Sequence, residues 1–154
     1  MIERYTRPAM GRIWSEAAKY QAWHRVEVAV CEAYARRGRI PVDALARIQA
    51  ARVDVERILD IQQRVKHEMI ALLTSLEEQL GADSRFVHVG LTTNDVWDTA
   101  TALQLREAAD LLIAGQQRLR AALRTLALRY RDTLTIARTC CERIVTGPRA
   151  QSNK

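Results

Sequence analysis

Apolar residues recur every three or four positions along most of the chain, which is the spacing of amphipathic α-helices. This pattern predicts helices over residues 13–37, 42–50 and 54–80. Asp54 is placed to cap the third helix, and Gly81 is placed to end it. Core positions in the first helix include Trp14, Trp23 and Cys31. The fold class that follows is all-α.

The helical pattern runs longest between Asp95 and Tyr130, where no proline interrupts it. At about 1.5 Å per residue, this helix is roughly 54 Å long. Its apolar residues cover two faces, so both faces should pack against other helices, as in a helical bundle. The shorter helices must build a core with each other. We therefore expect the long helix to pair with copies of itself or with a further part of a larger chain.

Several segments lack the helical period. Residues 1–11 contain Pro8 and Gly11 and are predicted to form an extended arm. Residues 86–89 are predicted to be extended, and residues 133–139 are polar and β-branched. From residue 140 to the end, the chain reads as a disordered tail.

Charge and cysteine content narrow the class of protein. The net charge is +6, and all of the excess positive charge lies after residue 104, where the sequence has 10 Lys and Arg residues and 4 Asp and Glu residues. Such an excess fits nucleic acid, small anions or an acidic partner. Cys31, Cys140 and Cys141 have no zinc-site spacing and indicate a reducing compartment. Because no signal peptide or membrane-spanning run is apparent, we expect a cytoplasmic protein.

Candidate chemistry lies where the long helix begins. Gly90 is followed by Thr92 and Thr93, directly before the helical pattern. Backbone N–H groups at a helix start lack partners and carry positive partial charge, so these residues could hold an anion. A simple helix cap explains the same residues.

Three further residues carry polar chemistry. His67 falls opposite the apolar stripe of its predicted helix, which indicates an exposed histidine. On the N-terminal arm, Arg4 and Tyr5 are good phosphate donors, and a solvated tail is the alternative.

Six segments match one family in order, spacing and identity. They are residues 4–10 (RYTRPAM), 13–15 (IWS), 19–23 (KYQAW), 54–58 (DVERI), 66–68 (KHE) and 88–100 (HVGLTTNDVWDTA). Together they closely resemble the N-terminal part of bacterial adenylosuccinate lyases. The resemblance runs from Met1 to about Thr139.

That resemblance implies the fold of the fumarase and aspartase superfamily, whose members are all-helical homotetramers around a long bundle. It implies an N-terminal helical domain over residues 1–91 and the first long bundle helix over residues 92–131. Residues 132–154 complete the chain as an extended segment and then a disordered tail, in which the family pattern is lost after about Thr139. The implied reaction is elimination of fumarate from adenylosuccinate, or from the succinylated carboxamide ribotide of purine biosynthesis, without a cofactor or metal. The implied partners are adenylosuccinate, AMP, fumarate and further copies of the chain, with no membrane and no nucleic acid.

The resemblance also assigns roles to individual residues. Those assigned to substrate binding are Arg4, Tyr5, Lys66, His67, Glu68, Thr92 and Thr93. Within this set, the arm contacts the nucleotide phosphate and the two threonines hold the succinyl carboxylate. His67 and His88 are the implied catalytic histidines, with His67 orienting the substrate. Lysine, glutamate and threonine at 66, 68 and 93 replace the family's usual arginine, aspartate and serine, and each keeps the charge or the hydroxyl.

The resemblance stops inside a motif. Where the family has Arg-Thr-His, with the histidine as general acid, this chain has Arg138-Thr139-Cys140. The loop that carries the family's catalytic serine has no counterpart in the sequence. We therefore expect a chain truncated or frameshifted after Thr139, which lacks the family's general acid and base and is inactive alone.

Two other interpretations stay open at this stage. One is a helical interaction fragment that pairs with a complete lyase through residues 95–130. The other is a basic nucleic-acid-binding helical protein that uses the arginines between residues 118 and 131. Those arginines are spread around the helix and have no aromatic platform beside them, which weighs against the second.

The truncation can be tested on the coding DNA. Past the Thr139 codon, we expect a lyase-like continuation in one of the three reading frames, because the family pattern is lost abruptly at that point. If no frame contains such a continuation, the truncation hypothesis is wrong.

Overall fold

The computed structural model describes residues 2–138 and 142–146, and the predicted all-α class is confirmed. The α-helices are α1 (Pro8–Ile13), α2 (Glu16–Ala35), α3 (Val42–Ala50), α4 (Val55–Val65), α5 (Glu68–Leu80) and α6 (Thr93–Arg129). Short 3-10 helices cover Glu3–Tyr5 and Gly81–Phe86, and two strands are β1 (Leu134–Arg138) and β2 (Glu142–Thr146). The segment Met1–Ala109 forms one compact unit, and Asp110–Lys154 forms another. The predicted domain boundary at residue 91 stays a prediction. In the structure, the first half of α6 packs with the N-terminal helices.

The N-terminal arm is helical, so the prediction of an extended arm is wrong. Pro8 is the first residue of α1, where its missing N–H costs nothing and its fixed φ suits a helix. Gly11 lies inside the same short helix. Pro8 therefore begins a helix here instead of preventing one.

Helix α2 begins later than predicted because Ser15 caps it. The Ser15 hydroxyl oxygen accepts a hydrogen bond from the Ala18 N–H at 3.2 Å. Trp23 and Cys31 are each 1% exposed, which confirms their core positions. Trp14 lies before the cap and is 36% exposed, so its assignment to the core is wrong.

The predicted helix over residues 54–80 is two helices. Asp54 caps α4 as expected, since its Oδ1 accepts from the Arg57 N–H at 3.0 Å. Lys66 then adopts a left-handed conformation with φ of 55°, which ends α4. His67 starts α5 as its N-cap, and its Nδ1 accepts from the Ile70 N–H at 3.3 Å. His67 is exposed, as predicted, although at a helix junction.

The core of the first unit is centred on α2, α4 and α5. Fully buried residues on α5 include Met69, Ala71, Leu72 and Leu76, at 0–1% exposure. They pack with the buried residues of α2 to α4 and with Val96 and Ala100 of α6, in one continuous cluster. On the far side of α5, Ile70 is 47% exposed.

The connection before α6 is a 3-10 helix followed by turns, so the prediction of an extended segment over residues 86–89 is wrong. His88 and Gly90 both have positive φ, at 63° and 74°. Left-handed residues reverse the chain locally, which an extended strand does not do.

Helix α6 confirms the predicted long helix and spans 37 residues. At its start, the Asp95 carboxylate accepts from both the N–H and the hydroxyl of Thr92, at 2.8 and 3.1 Å. This is the contact of a capping box, in which the third helical residue reaches back to the cap. Along the helix, Val96, Ala100, Gln104 and Ala108 are the buried residues, and they lie on one face.

The unit that follows Ala109 carries the rest of α6 and a hairpin. Its helical residues from 110 to 129 include exposed leucines at 111, 112, 119, 123, 126 and 128. Strands β1 and β2 pair antiparallel, with Ile136 opposite Ile144. Residues 142–146 were predicted to be disordered, and that is wrong: they form β2, in which the consecutive β-branched residues Ile144, Val145 and Thr146 favour a strand. Residues 139–141 and 147–154, with Cys140 and Cys141, lie outside the described residues.

Throughout residues 2–138 and 142–146, each helix is too short or too polar to cross a bilayer.

Replacing Leu72 with alanine tests the position of the core. Leu72 has 0% exposure, so Leu72→Ala leaves a cavity and should lower the free energy of unfolding by about 2–5 kcal/mol. Urea denaturation of the purified chain measures this change. The matched control is Ile70→Ala on the exposed side of the same helix, with an expected change of about 0.5 kcal/mol or less. Equal losses from the two variants would place the core elsewhere.

The contact between Asp95 and Thr92 at the start of α6 should make the stability of the chain depend on pH. Hydrogen bonds from the backbone and then the hydroxyl of Thr92 hold the pKa of Asp95 below its ordinary value, with help from His88. Because the folded-state pKa is lowered, the stabilisation is complete above the unfolded pKa of about 3.9 and is lost as pH falls through the folded value. Asp95→Asn should therefore lower the melting temperature at pH 7 and lose its effect in acid.

The control for that experiment is Asp98→Asn, which removes one negative charge three residues further along α6. Thermal melts of the two variants and the wild type, from pH 7 down to about pH 2, separate the cap from the general charge effect. A wild-type advantage over Asp95→Asn that stays constant across this range would contradict the cap.

Candidate functional site

One face of α2 holds the segment that leads into α6. Trp23, Glu27, Cys31 and Tyr34 are spaced by four, four and three residues, so they share one face of the helix. Each of them contacts a different point between residues 86 and 97. At the N-terminal end of this face, the rings of Trp23 and Trp97 meet edge to face, with centroids 6.0 Å apart.

The central contact is a buried carboxylate with two partners on one residue. The Glu27 side chain has no exposed surface, whereas the His88 side chain is 21% exposed. The His88 backbone N–H donates to Glu27 Oε2 at 2.9 Å, and His88 Nδ1 lies 2.6 Å from Oε1. Both carboxylate oxygens are therefore paired. Glu27 was missed by the sequence analysis, which assigned the helix stripe by apolar residues alone.

Two further contacts from the same face hold the turn on either side of His88. The Cys31 thiol donates to the Phe86 carbonyl oxygen at 3.4 Å. Burial and then the Glu27 carboxylate raise the pKa of Cys31 to about 11, so the sulfur keeps its proton for this bond. A Cβ added to Gly90 would lie 3.0 Å from the Tyr34 hydroxyl, and the positive φ of Gly90 also favours glycine.

His88 and the start of α6 form one polar cluster. A protonated His88 is a further, smaller cause of the lowered pKa of Asp95, after the two hydrogen bonds from Thr92. Thr92 is exposed and bonds Asp95, and Thr93 is half-buried as the first residue of α6. The N–H groups of a first helical turn have no partners within the helix, so the cluster has donors for an anion beside Asp95.

The cluster borders an open groove between α2 and the first half of α6. Its volume is about 970 Å³, and its charged lining residues are Arg25 and Arg37 of α2 and Asp95 and Asp98 of α6. Apolar side chains such as Val30 and Leu91 cover much of the rest.

A second polar cluster surrounds the junction between α4 and α5. His67 and Lys66 are exposed there, and Glu68 accepts from Lys19 of α2 at 3.3 Å. Burial acts to lower the pKa of Lys19, but the hydrogen bond to Glu16 and the nearby carboxylates outweigh it, so the pKa lies above its ordinary value. Lys19 therefore stays charged and ties Glu68 to α2.

The residues of the N-terminal arm form a third, separate group. Tyr5 is 76% exposed, and the Arg4 guanidinium lies 5.7 Å from the centre of its ring. Among the described residues, no hydrogen bond or ion pair joins Arg4, Tyr5 or His67 to the cluster at the start of α6. His88, Thr92 and Thr93 therefore lie on one short segment that leads into α6, and no such bond links the other candidates to it.

The chemistry that these residues offer is acid–base and hydrogen-bonding chemistry. An imidazole held by a carboxylate can take or give a proton, and threonine hydroxyls beside a helix start can hold a carboxylate. Within the part of the chain that the structure describes, no group of three or more His, Cys, Asp or Glu side chains is placed to hold a metal ion.

Comparison with known sequences identifies adenylosuccinate lyases among the relatives of this chain. The chain is 46% identical over 140 residues to the adenylosuccinate lyase of Synechocystis sp., which covers 90% of this chain and 32% of that protein. It is 43% identical over 143 residues to the adenylosuccinate lyase of Aquifex aeolicus, with 90% and 33% covered. The chain therefore spans about a third of the length of the curated relatives that it matches.

Solved structures agree with this relationship. The 3-carboxy-cis,cis-muconate lactonizing enzyme of Pseudomonas putida superimposes with a TM-score of 0.81 and 33% identity, over 90% of this chain and 34% of that one. A fumarate lyase of Mesorhizobium sp. BNC1 gives a TM-score of 0.76 and 33% identity, over 84% and 32%. The model of the lyase family matches residues 3–143, which is most of the sequence, and this chain belongs to that family.

Proposed function

We propose that this chain is the N-terminal part of an adenylosuccinate lyase and supplies the substrate-holding portion of its active site. The reaction is the elimination of fumarate from adenylosuccinate and from the succinylated carboxamide ribotide. The observation that carries the proposal is the cluster of His88, Thr92 and Thr93 at the start of α6, in a chain up to 46% identical to enzymes of that name.

The start of α6 is proposed to hold the succinyl carboxylate. Elimination builds negative charge next to that carboxylate, so fixed donors lower the barrier. Thr93 and the N–H groups of the first turn are available for this, while Asp95 already occupies the N–H and hydroxyl of Thr92. For Thr92 to contact substrate, its hydroxyl has to exchange Asp95 for the ligand.

The histidines and the arm complete the proposed site. His88 contacts the substrate from beside the threonines, and His67 orients it from the start of α5. Lys66 and Glu68 support binding next to His67. Arg4 and Tyr5 bind the nucleotide phosphate, for which the exposure of Tyr5 is suitable.

The 154-residue chain is proposed to be inactive alone. A lyase needs a base for the carbon-bound proton and an acid for the departing nitrogen. Cys140 stands where the family has its histidine acid. The localisation that this function implies is the cytoplasm.

A second candidate function is assembly with a complete lyase or with further copies of the chain. The observation that favours it is the exposure of large apolar residues along α6, of which Leu112 and Leu119 are 61% and 59% exposed. Helices of this kind bury such faces in bundles. Assembly would also let this chain lend Thr92 and Thr93 to an active site completed by another subunit.

Complementation tests both parts of the proposal. The Synechocystis adenylosuccinate lyase, with alanine at the positions aligned with Thr92 and Thr93, is to be mixed with the purified chain and assayed for fumarate release. We expect neither protein to release fumarate alone and the mixture to release it, because the chain supplies the missing hydroxyls.

The controls separate the site from the helix. Thr92→Ala with Thr93→Ala in the chain should abolish the rescue, whereas Thr125→Ala, a hydroxyl on an exposed position of the same helix, should preserve it. Absence of rescue by the wild-type chain, or equal rescue by the double variant, contradicts the proposed function.

A further inference from the structure

We propose that Glu27 is a positioning residue that holds His88 as the Nδ1–H tautomer and leaves Nε2 as the ring nitrogen that meets substrate. Nothing in the family resemblance assigned a role to Glu27. The proposal deepens the proposed function, because it rests on the role given there to His88.

The direction of the two hydrogen bonds places the proton of the His88 ring. A backbone N–H can only donate, so the 2.9 Å contact with His88 makes Oε2 of Glu27 an acceptor. The other oxygen, Oε1, lies 2.6 Å from His88 Nδ1, and a contact that short requires a proton between the two atoms. A carboxylic acid releases its proton at lower pH than an imidazolium does, which puts this proton on Nδ1.

The other ring nitrogen of His88, Nε2, is not bonded by Glu27. Glu27 is buried on α2, while the His88 side chain keeps 21% of its surface exposed. With Nδ1 occupied by Glu27, Nε2 is the only ring nitrogen left for a ligand. It accepts a proton when the ring is neutral and donates one when the ring is charged.

The other two histidines have the opposite arrangement. The Nδ1 of His67 accepts from the Ile70 N–H, so its neutral ring carries the proton on Nε2. His24 places Nε2 3.2 Å from the Ile48 carbonyl oxygen, which also requires the proton on Nε2. Since the chain has three histidines, His88 should be the single Nδ1–H tautomer.

Glutamine at position 27 should reverse the tautomer of His88. Only one of its two terminal atoms is an acceptor, so only one of the two contacts with His88 can keep an acceptor, and the His88 backbone N–H cannot become an acceptor. The oxygen therefore stays with the backbone, and the amide NH₂ faces Nδ1. Nδ1 must then be unprotonated, which moves the ring proton to Nε2.

The test is ¹⁵N NMR of the histidine ring nitrogens in the purified chain, with pH raised until each ring is neutral. His67→Gln and His24→Gln assign the signals by removing them one at a time. In the wild type, we expect His88 to lose its proton from Nε2, while His24 and His67 lose theirs from Nδ1. Loss from Nδ1 at His88 overturns the proposal without any substitution of Glu27.

Substitution of Glu27 tests whether this residue sets the tautomer of His88. Glu27→Gln should convert His88 to the Nε2–H tautomer, and Glu32→Gln, which bonds Gln49 from an exposed part of the same helix, should leave it unchanged. Retention of the Nδ1–H tautomer in Glu27→Gln contradicts the role of Glu27. A merely structural contribution would lower stability without moving this signal.

The complementation assay gives the functional readout. Rescue by the Glu27→Gln chain should be slower than rescue by the Glu32→Gln chain by at least about tenfold, as expected for a histidine in the wrong tautomer. Equal rescue shows that the tautomer does not matter for the reaction. If the wild-type chain rescues nothing while the NMR result holds, the proposed function fails and the positioning of His88 stands.

Discussion

A buried carboxylate costs several kcal/mol unless its oxygens are paired, and Glu27 is paired through a single residue, His88. One of the two bonds goes to the backbone of His88 and the other to its ring. The contact therefore fixes both the course of the chain at residue 88 and the orientation of the imidazole. Because α6 begins only five residues later, the same contact also helps to place the start of that helix.

The same face of α2 also supports the residues on either side of His88. The face of α2 that carries Glu27 also bonds the Phe86 carbonyl oxygen through Cys31. Beside Tyr34, this face lies so close to residue 90 that a glycine is favoured there. The segment between α5 and α6 is therefore bonded to α2 at Phe86 and His88 and passes close to it at Gly90. Rigid support of this kind is what a catalytic histidine and a carboxylate-binding helix start require, since both depend on orientation.

The sequence predicted the features that depend on strong local signals. Helices α3 and α6 follow from their apolar periodicity, and the Asp54 cap follows from its position before such a stretch. The break between α4 and α5 at Lys66 could not be predicted from the sequence, because a lysine rarely adopts a positive φ and does so here in the context of the folded structure. Glu27 was missed for a similar reason: a glutamate on a helix is usually exposed, and its partner lies 61 residues away. The substrate-binding roles came from resemblance to a family, and the residues alone indicated only a capped helix start.

Amide hydrogen exchange at His88 tests most directly whether the Glu27 contact holds this turn. In the wild-type chain, the His88 amide should exchange as slowly as the core amides of α5, because its donor is bonded to a buried carboxylate. In Glu27→Ala, the His88 amide should lose this protection while the α5 amides keep theirs. Fast exchange at His88 in the wild type, or protection that survives in Glu27→Ala, would contradict the account.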